Sequence, residues 1–316
     1  MQKRTLGQSD LQLAPLVLGG NVFGWTADQA TSFRILDAFV GGGGNAIDTA
    51  DGYSVWVPGH VGGESETIIG NWLRQRGRRD DIIIATKVGW EVNDTHKGLA
   101  KDYILRAVEG SLKRLQTDYI DLYQSHKDDP TVPVEETLRA YDELVKAGKV
   151  RVIGASNFSA ERLRESMETS ARLGLPRYES LQPLYNLYDR ADFEQHLLPL
   201  CQEQHVGVIP YYGLAAGFLT GKYRTEADLQ KSARGGGVGQ KYLNEKGLRI
   251  LRALDAVAAR QQATPAQVAL AWIMAQPGLT APIASATSPE QVTELLKATE
   301  LELSSDDLRE LGQASA

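Results

Sequence analysis

The chain has 316 residues, 42% hydrophobic and 23% charged, with 34 basic against 40 acidic side chains for a net charge of −6. Neither sign gathers into a block, which argues against nucleic acid as a partner, and no stretch approaches the ~20 apolar residues that span a bilayer, so no membrane association is expected. The single cysteine, Cys201, excludes an intrachain disulfide and a multi-cysteine metal site, and the polar first residues carry no export signal, so a cytoplasmic location is expected.

The first segment, RTLGQSDLQLAPLVLG, sets a turn-forming GQSD between extended runs and predicts a β-hairpin plugging one end of the fold. From there, short apolar runs alternate with helical periods. A strand over 16–19 precedes a helix over 28–40, a strand over 46–48 a helix over 64–76, and a strand over 81–87 a helix over 102–115. The pairing repeats with 119–126 and 134–147, 150–156 and 159–172, 180–183 and 192–205, then 207–211 and 244–275, the last as one helix or two. A final strand over 282–284 leads to a terminal helix opened by SSDD at 304–307, where acids suit a helix N-terminus, and Ser159 is the expected cap of the helix that follows it.

Eight such units, several with strands apolar on both faces, predict an α/β fold of the TIM (β/α)8 type, with residues 1–316 as a single domain. A doubly wound open sheet is the alternative. Against it, the glycine run 41–44 comes before a strand, whereas a Rossmann phosphate turn comes after one; the run reads as a helix end and a tight return. A second glycine cluster, 235–239, lies in a long polar stretch between Lys222 and Asn244 and is expected to be a covering loop or lid.

In a barrel of parallel strands the carboxyl ends share one face, and the reaction site lies there. The second strand finishes in AIDTADGY, the third in IIIATK and the fourth in DLYQSH, which brings Asp48, Tyr53, Lys87 and His126 to that face. Singly, each has an ordinary explanation: a turn cap, a packed ring, a solvated strand end, a satisfied histidine. Lys87 resists its own, because apolar or small residues run directly up to it and an ammonium leaving water requires a partner such as Asp48. Together the four compose a proton-donating phenol. Asp48 holds Lys87 charged, the cation is expected to lower the Tyr53 pKa from its usual ~10, and a neutral His126 can donate a hydrogen bond to a carbonyl oxygen. Reduction also takes a hydride, which no side chain provides, so a nicotinamide or flavin is required. Trp25, Trp56 and Trp90, in the loops after the first three strands, are expected to line a substrate pocket with Tyr53 and His126 that suits an apolar, aromatic or sugar-ring substrate. No metal site is expected.

These segments resemble the aldo-keto reductase superfamily over nearly the whole chain. AIDTADGY with GGESETIIG is similar to the family's first signature, and IIIATK, DLYQSH, GASNFS, LQPLYNL and GLAAGFLTGKY follow in the family's order. The resemblance implies a TIM barrel, a tetrad of Asp48, Tyr53, Lys87 and His126 with Tyr53 as general acid, and a nicotinamide dinucleotide extended across the barrel mouth beside Asp48. It further implies that Ser156, Asn157 and Gln182 bind the nicotinamide carboxamide and that Tyr211 stacks on its ring. Leu214, Lys222 and Arg234 match phosphate-holding positions of long-loop members similar to the potassium-channel β-subunit branch. Ser285, Thr287, Ser288, Gln291 and Glu294 match the adenosine site, at a helix N-terminus that favours anions.

The chain departs from the family where YSPL is common and Tyr211-Tyr212-Gly213-Leu214 stands, and at Ser285, Gln291 and Leu295. These changes remove groups that commonly grip a 2′-phosphate, while Lys222 and Arg234 can restore that grip; NADP(H) is the expected cofactor and NAD(H) the alternative. Three other readings stay open: an NAD(P)+-dependent alcohol or sugar dehydrogenase, an NADP-sensing regulatory subunit with slow turnover, and a metal-dependent hydrolase using Asp48, Asp51 and His126. The Lys87 cation argues against the last. The expected partner is a small carbonyl or alcohol substrate, and neither its identity nor the oligomeric state is legible.

Overall fold

The structure, a computed structural model, describes residues 1–231 and 235–316. Strands β1 (Arg4–Thr5) and β2 (Gln12–Leu13) form the expected antiparallel hairpin. Eight parallel strands follow: β3 (Val17–Gly19), β4 (Ala46–Asp48), β5 (Ile83–Val88), β6 (Ile120–Ser125), β7 (Val150–Ser156), β8 (Tyr178–Gln182), β9 (Gly207–Val208) and β10 (Ile283–Ala284). Each pairs with the next from β3 to β9, and β10 pairs with β3. The ring closes where Thr280 N donates to Val208 O at 2.8 Å and Ile283 N to Pro210 O at 2.9 Å. The result is a TIM (β/α)8 barrel, not the open sheet.

Helices α1 (Gln29–Gly41), α2 (Glu64–Arg76), α3 (Lys101–Leu115), α4 (Val134–Lys146) and α5 (Ala160–Leu173) cover the outside of the first strands. After them come α6 (Leu198–Glu203), α7 (Gly235–Tyr242), α8 (Glu245–Gln261), α9 (Pro265–Met274), α10 (Pro289–Leu296) and α11 (Ser305–Ser315). The cap signals hold: Ser159 accepts from Arg162 N, and Ser304 with Asp307 forms a reciprocal capping box. The run over 244–275 divides into two helices because Gln262 turns left-handed at φ 52°, after which Thr264 and Pro265 open α9 with a second capping box.

Three expectations are corrected by the structure. The helix over 192–205 is a wide turn, Phe193–Leu197, followed by the short α6; Leu198 N reaches back to Phe193 O, and Pro199 has no N–H to continue the ordinary ladder. Strand pairing over 207–211 is regular only at Gly207–Val208, since Pro210 cannot donate, although Ile209 and Tyr211 still donate to Leu181 O and Pro183 O. The stretch from Lys222 to Asn244 holds a short helical turn at Glu226–Lys231 and then α7. Two of its glycines serve close packing: a Cβ on Gly235 would lie 1.6 Å from Leu229 O, and one on Gly239 would lie 2.4 Å from the Leu229 side chain, whereas Gly236 and Gly237 face open space.

Side chains alternate across each strand, and this alternation builds the site. Val17, Ala46, Ile83, Ala85, Leu122, Val152, Ile209 and Ile283 point inward and form the barrel's lower interior, closed from below by Leu6, Leu11 and Leu13 of the hairpin segment. Each of those leucines is almost wholly buried, which is worth at most about 1.5–3 kcal/mol apiece. Leu18, Ile47, Ile84, Tyr123, Ile153 and Leu181 point outward into the layer between strands and helices. Continuing the same period toward the carboxyl ends turns Asp48, Lys87, Gln124, Ser156 and Gln182 inward, stacked above the apolar layer. Register keeps them level: Lys87 lies opposite Gln124, Gln124 opposite Gly154, and Ser156 opposite Gln182. Gly154 leaves the space Gln124 needs, for a Cβ there would lie 2.2 Å from Ser180 Oγ and 3.0 Å from the Gln124 side chain.

Candidate active site

A cleft of about 1070 Å³ opens at the carboxyl ends of the strands. At its floor the Lys87 side chain is completely enclosed, and its three ammonium protons have three acceptors: Asp48 Oδ2 at 2.7 Å, the Thr49 carbonyl at 2.8 Å and Tyr53 OH at 2.9 Å. Asp48 is itself buried, and its second oxygen accepts from Gln182 Nε2 at 2.8 Å and Gln124 Nε2 at 3.3 Å. The charge pair therefore has both its members satisfied, the condition for an ion pair to persist away from water.

Because Lys87 donates to the phenol oxygen, the Tyr53 proton must point elsewhere. The phenol donates to Asp48 Oδ2 over a long 3.4 Å, a weak bond to an oxygen that also accepts from Lys87, and one that an acceptor entering the cleft can replace. The expected lowering of the Tyr53 pKa is reversed: burial first, then the Asp48 charge, hold it well above the usual phenol range. The Lys87 cation does not outweigh these, and the phenol stays protonated at neutral pH.

His126 follows β6, its backbone N–H donating to Val88 O at 2.8 Å and its ring lying 4.9 Å from Trp90 and 6.0 Å from Tyr53, centre to centre. Burial, with a contribution from Lys87, lowers its pKa well below the ordinary value, so the imidazole is neutral. Nδ1 is enclosed without a partner among the described residues. An orphaned N–H is rarer than an orphaned lone pair, which assigns the single ring proton to Nε2.

Beside this floor, Asn157 sits in left-handed backbone at φ 54° and donates through Nδ2 to His126 O at 2.9 Å and Ser156 Oγ at 3.0 Å, while Tyr211 OH donates to its Oδ1 at 2.8 Å. Ser156 Oγ donates to Gln182 O at 2.8 Å. Gln182 has its amide nitrogen committed to Asp48 and offers its Oε1 to a ligand. An aromatic face at Tyr211 with amide edges beside it fits a planar ring bearing a carboxamide.

Farther along the cleft wall lie Leu214, Lys222, Ser285, Thr287, Gln291 and Glu294. Ser285 Oγ donates to Asn21 Oδ1 at 2.6 Å, Gln291 Oε1 accepts from Thr287 N at 2.8 Å, and Glu294 accepts from Gln267 Nε2 at 2.8 Å. Ser288 is not part of the wall; it caps α10, accepting from Gln291 N at 3.3 Å. Arg234 lies outside the described residues. Trp25, Trp56 and Trp90 all line the cleft, with Trp25 and Trp56 edge to face at 5.7 Å.

Sequence reasoning passed over several residues here. Gln124 was legible from the period of two that places it on the face of Lys87's neighbours, two residues before His126. Tyr212 and Asn21 line the cleft from loops, and Lys231 from the end of the short helical turn Glu226–Lys231, where no sequence period marks them.

The chain matches the Aldo/keto reductase family over residues 15–316. It is 36% identical to the aldo-keto reductase YhdN of Bacillus subtilis (strain 168), covering 96% of this chain and 88% of that protein. It is 34% identical to protein tas of Escherichia coli (strain K12), covering 98% and 96%, and 33% identical to a probable voltage-gated potassium channel subunit beta of Oryza sativa subsp. japonica, covering 94% and 91%. This chain belongs to the aldo-keto reductase family and is an oxidoreductase; the family generally uses a nicotinamide nucleotide and acts on small molecules. No helix among the described residues is long and apolar enough to cross a membrane.

Proposed function

We propose that this protein reduces aldehyde or ketone groups to alcohols, with Tyr53 as the proton donor and NADP(H) as the cofactor. The reading is carried by the saturated Lys87 ammonium. Its third proton occupies the Tyr53 oxygen, so the phenol's own proton is held only by the long 3.4 Å bond to Asp48 Oδ2 and can pass to an acceptor in the cleft, while Asp48 fixes Lys87 in place. The neutral His126 donates from Nε2 to the same carbonyl oxygen and orients it. As that oxygen takes the Tyr53 proton, the phenolate left behind remains hydrogen-bonded to Lys87, which supplies the charge compensation a buried phenolate needs.

A nicotinamide dinucleotide bound in the cleft supplies the hydride that no side chain can. Asn157 and Gln182 would bind its carboxamide and Tyr211 would stack on its ring. Lys222 and Lys231 would meet its phosphates, and their charge is the reason to favour NADP(H) over NAD(H). Trp25, Trp56 and Trp90 exclude water from one side and suit an apolar or flat substrate.

The test is titration with NADPH and, separately, NADH, following tryptophan fluorescence, then oxidation of the bound nucleotide with a panel of aldehydes and ketones. Binding with turnover that is lost in Tyr53→Phe supports the reading. Tight binding without turnover would favour a sensing role, and binding of neither nucleotide would overturn it.

A further inference from the structure

Asp51 stands three residues past Asp48 and takes no part in the chemistry above, yet it is enclosed against the catalytic floor. Its backbone N–H donates to the carbonyl of Lys87 at 3.2 Å, so it lies against the strand that carries the ammonium inward. The charged and titratable groups facing it come from every neighbouring element: Glu66 from α2, Tyr103 and Arg114 from α3, Lys87 from β5, Tyr123 from β6 and Tyr141 from α4. Glu66 is fully buried and anchored, accepting from Thr86 Oγ1 at 2.6 Å and from Arg114 Nε at 2.7 Å.

Two observations set this cluster apart from an ordinary buried ion pair. Asp51 Oδ1 and the Tyr123 hydroxyl are enclosed with no hydrogen-bond partner among the described residues, although buried polar groups rarely go unpaired, and the Tyr103 hydroxyl lies close enough to Asp51 to act on it as a donor. In addition, among the described residues the three carboxylates Asp48, Asp51 and Glu66 face the two cations Lys87 and Arg114, which leaves one negative charge in excess. A single proton on Asp51 removes that excess. Burial first, and then the Glu66 charge, push the Asp51 carboxyl up to about 7 against the pull of Arg114 and Lys87.

We propose that Asp51 is a positioning residue for the proton donor: by holding or releasing one proton behind Lys87, it sets the charge surrounding that ammonium and hence how readily Tyr53 gives up its proton. With Asp51 neutral, Lys87 compensates the nascent Tyr53 phenolate fully. With Asp51 charged, part of that compensation is cancelled and reduction slows. The inference rests on the reading of Tyr53 as the acid.

The first measurement is carboxyl 13C NMR titration of the nucleotide-free protein between pH 5 and 9. A carboxyl resonance titrating near neutrality is expected, absent from Asp51→Asn and moved to lower pH in Glu66→Gln, which removes the like charge while keeping the shape. The second is the single-turnover rate of NADPH oxidation by an uncharged aldehyde over the same range. The wild-type rate should fall through an inflection near neutral pH that Asp51→Asn lacks, retaining the faster acid-side rate, and that Asp51→Glu restores. If Asp51→Asn does not fold, the Glu66→Gln shift decides the matter. No Asp51 resonance titrating near neutrality, or an inflection unmoved in Asp51→Asn or, failing that, in Glu66→Gln, overturns the proposal. Tyr53→Phe is the control that separates the two readings: undiminished turnover there would mean that the acid assignment itself has failed.

Discussion

Replacing Lys87 with Met keeps much of the side-chain volume but strands the Asp48 carboxylate in a site from which water is excluded. Removing one partner of a buried pair typically costs ~3–5 kcal/mol. Here two amide donors remain on Asp48, from Gln182 at 2.8 Å and Gln124 at 3.3 Å, so the low end of that range applies. The expected loss at pH 7 is thus ~3–4 kcal/mol, a melting temperature lower by roughly 6–8 °C for a chain of this size. Adding Asp48→Asn removes the stranded charge and should recover most of the loss, though not activity. Melting of the two variants and wild type, followed by circular dichroism at pH 7, checks this. A Lys87→Met protein melting with wild type at pH 7, or a double variant no more stable than the single one, would refute the argument that Asp48 is held ionised by Lys87.

Tyr53→Phe should bind nucleotide as wild type does by tryptophan fluorescence while its turnover falls ~100-fold to 10,000-fold, the usual worth of a positioned general acid. Lys222→Ala with Lys231→Ala should weaken NADPH binding more than NADH binding; equal losses would assign both lysines to the shared pyrophosphate. Asp51 has a folded-state pKa raised to about 7, above its unfolded value, so the native state keeps a proton that the unfolded chain has lost, and stability falls as pH rises from the ordinary carboxylate range to about 7. Asp51→Asn should therefore match wild type near pH 4 and melt progressively higher than it up to pH 7, with the gap constant above that. Ser304→Ala removes the cap of α11 and should cost ~1 kcal/mol by chemical denaturation without changing turnover.

The barrel was legible because its cause is local. A strand buried on both faces must be apolar at every position, a covering helix must be apolar every third or fourth, and eight repeats of that contrast leave few architectures. The tetrad was legible for the same reason: Asp48, Lys87 and His126 interrupt apolar runs at strand ends, and the fold places strand ends on one face. Pro199 and Pro210 limited this reading, since each alters a hydrogen-bond ladder without altering the apolar pattern around it. So did Leu229, against which Gly235 and Gly239 of α7 pack.

What the sequence determined by itself was the order and face of the strands, hence which residues could meet. Distances and enclosure belonged to the tertiary structure, because they depend on register between segments far apart in the chain. Only there do the three protons of Lys87 find three acceptors, and only there does Gln182 prove to be committed to Asp48. The direction of the Tyr53 pKa turned on the balance between burial and two opposite charges, and that balance is fixed by packing rather than by the identity of the residues.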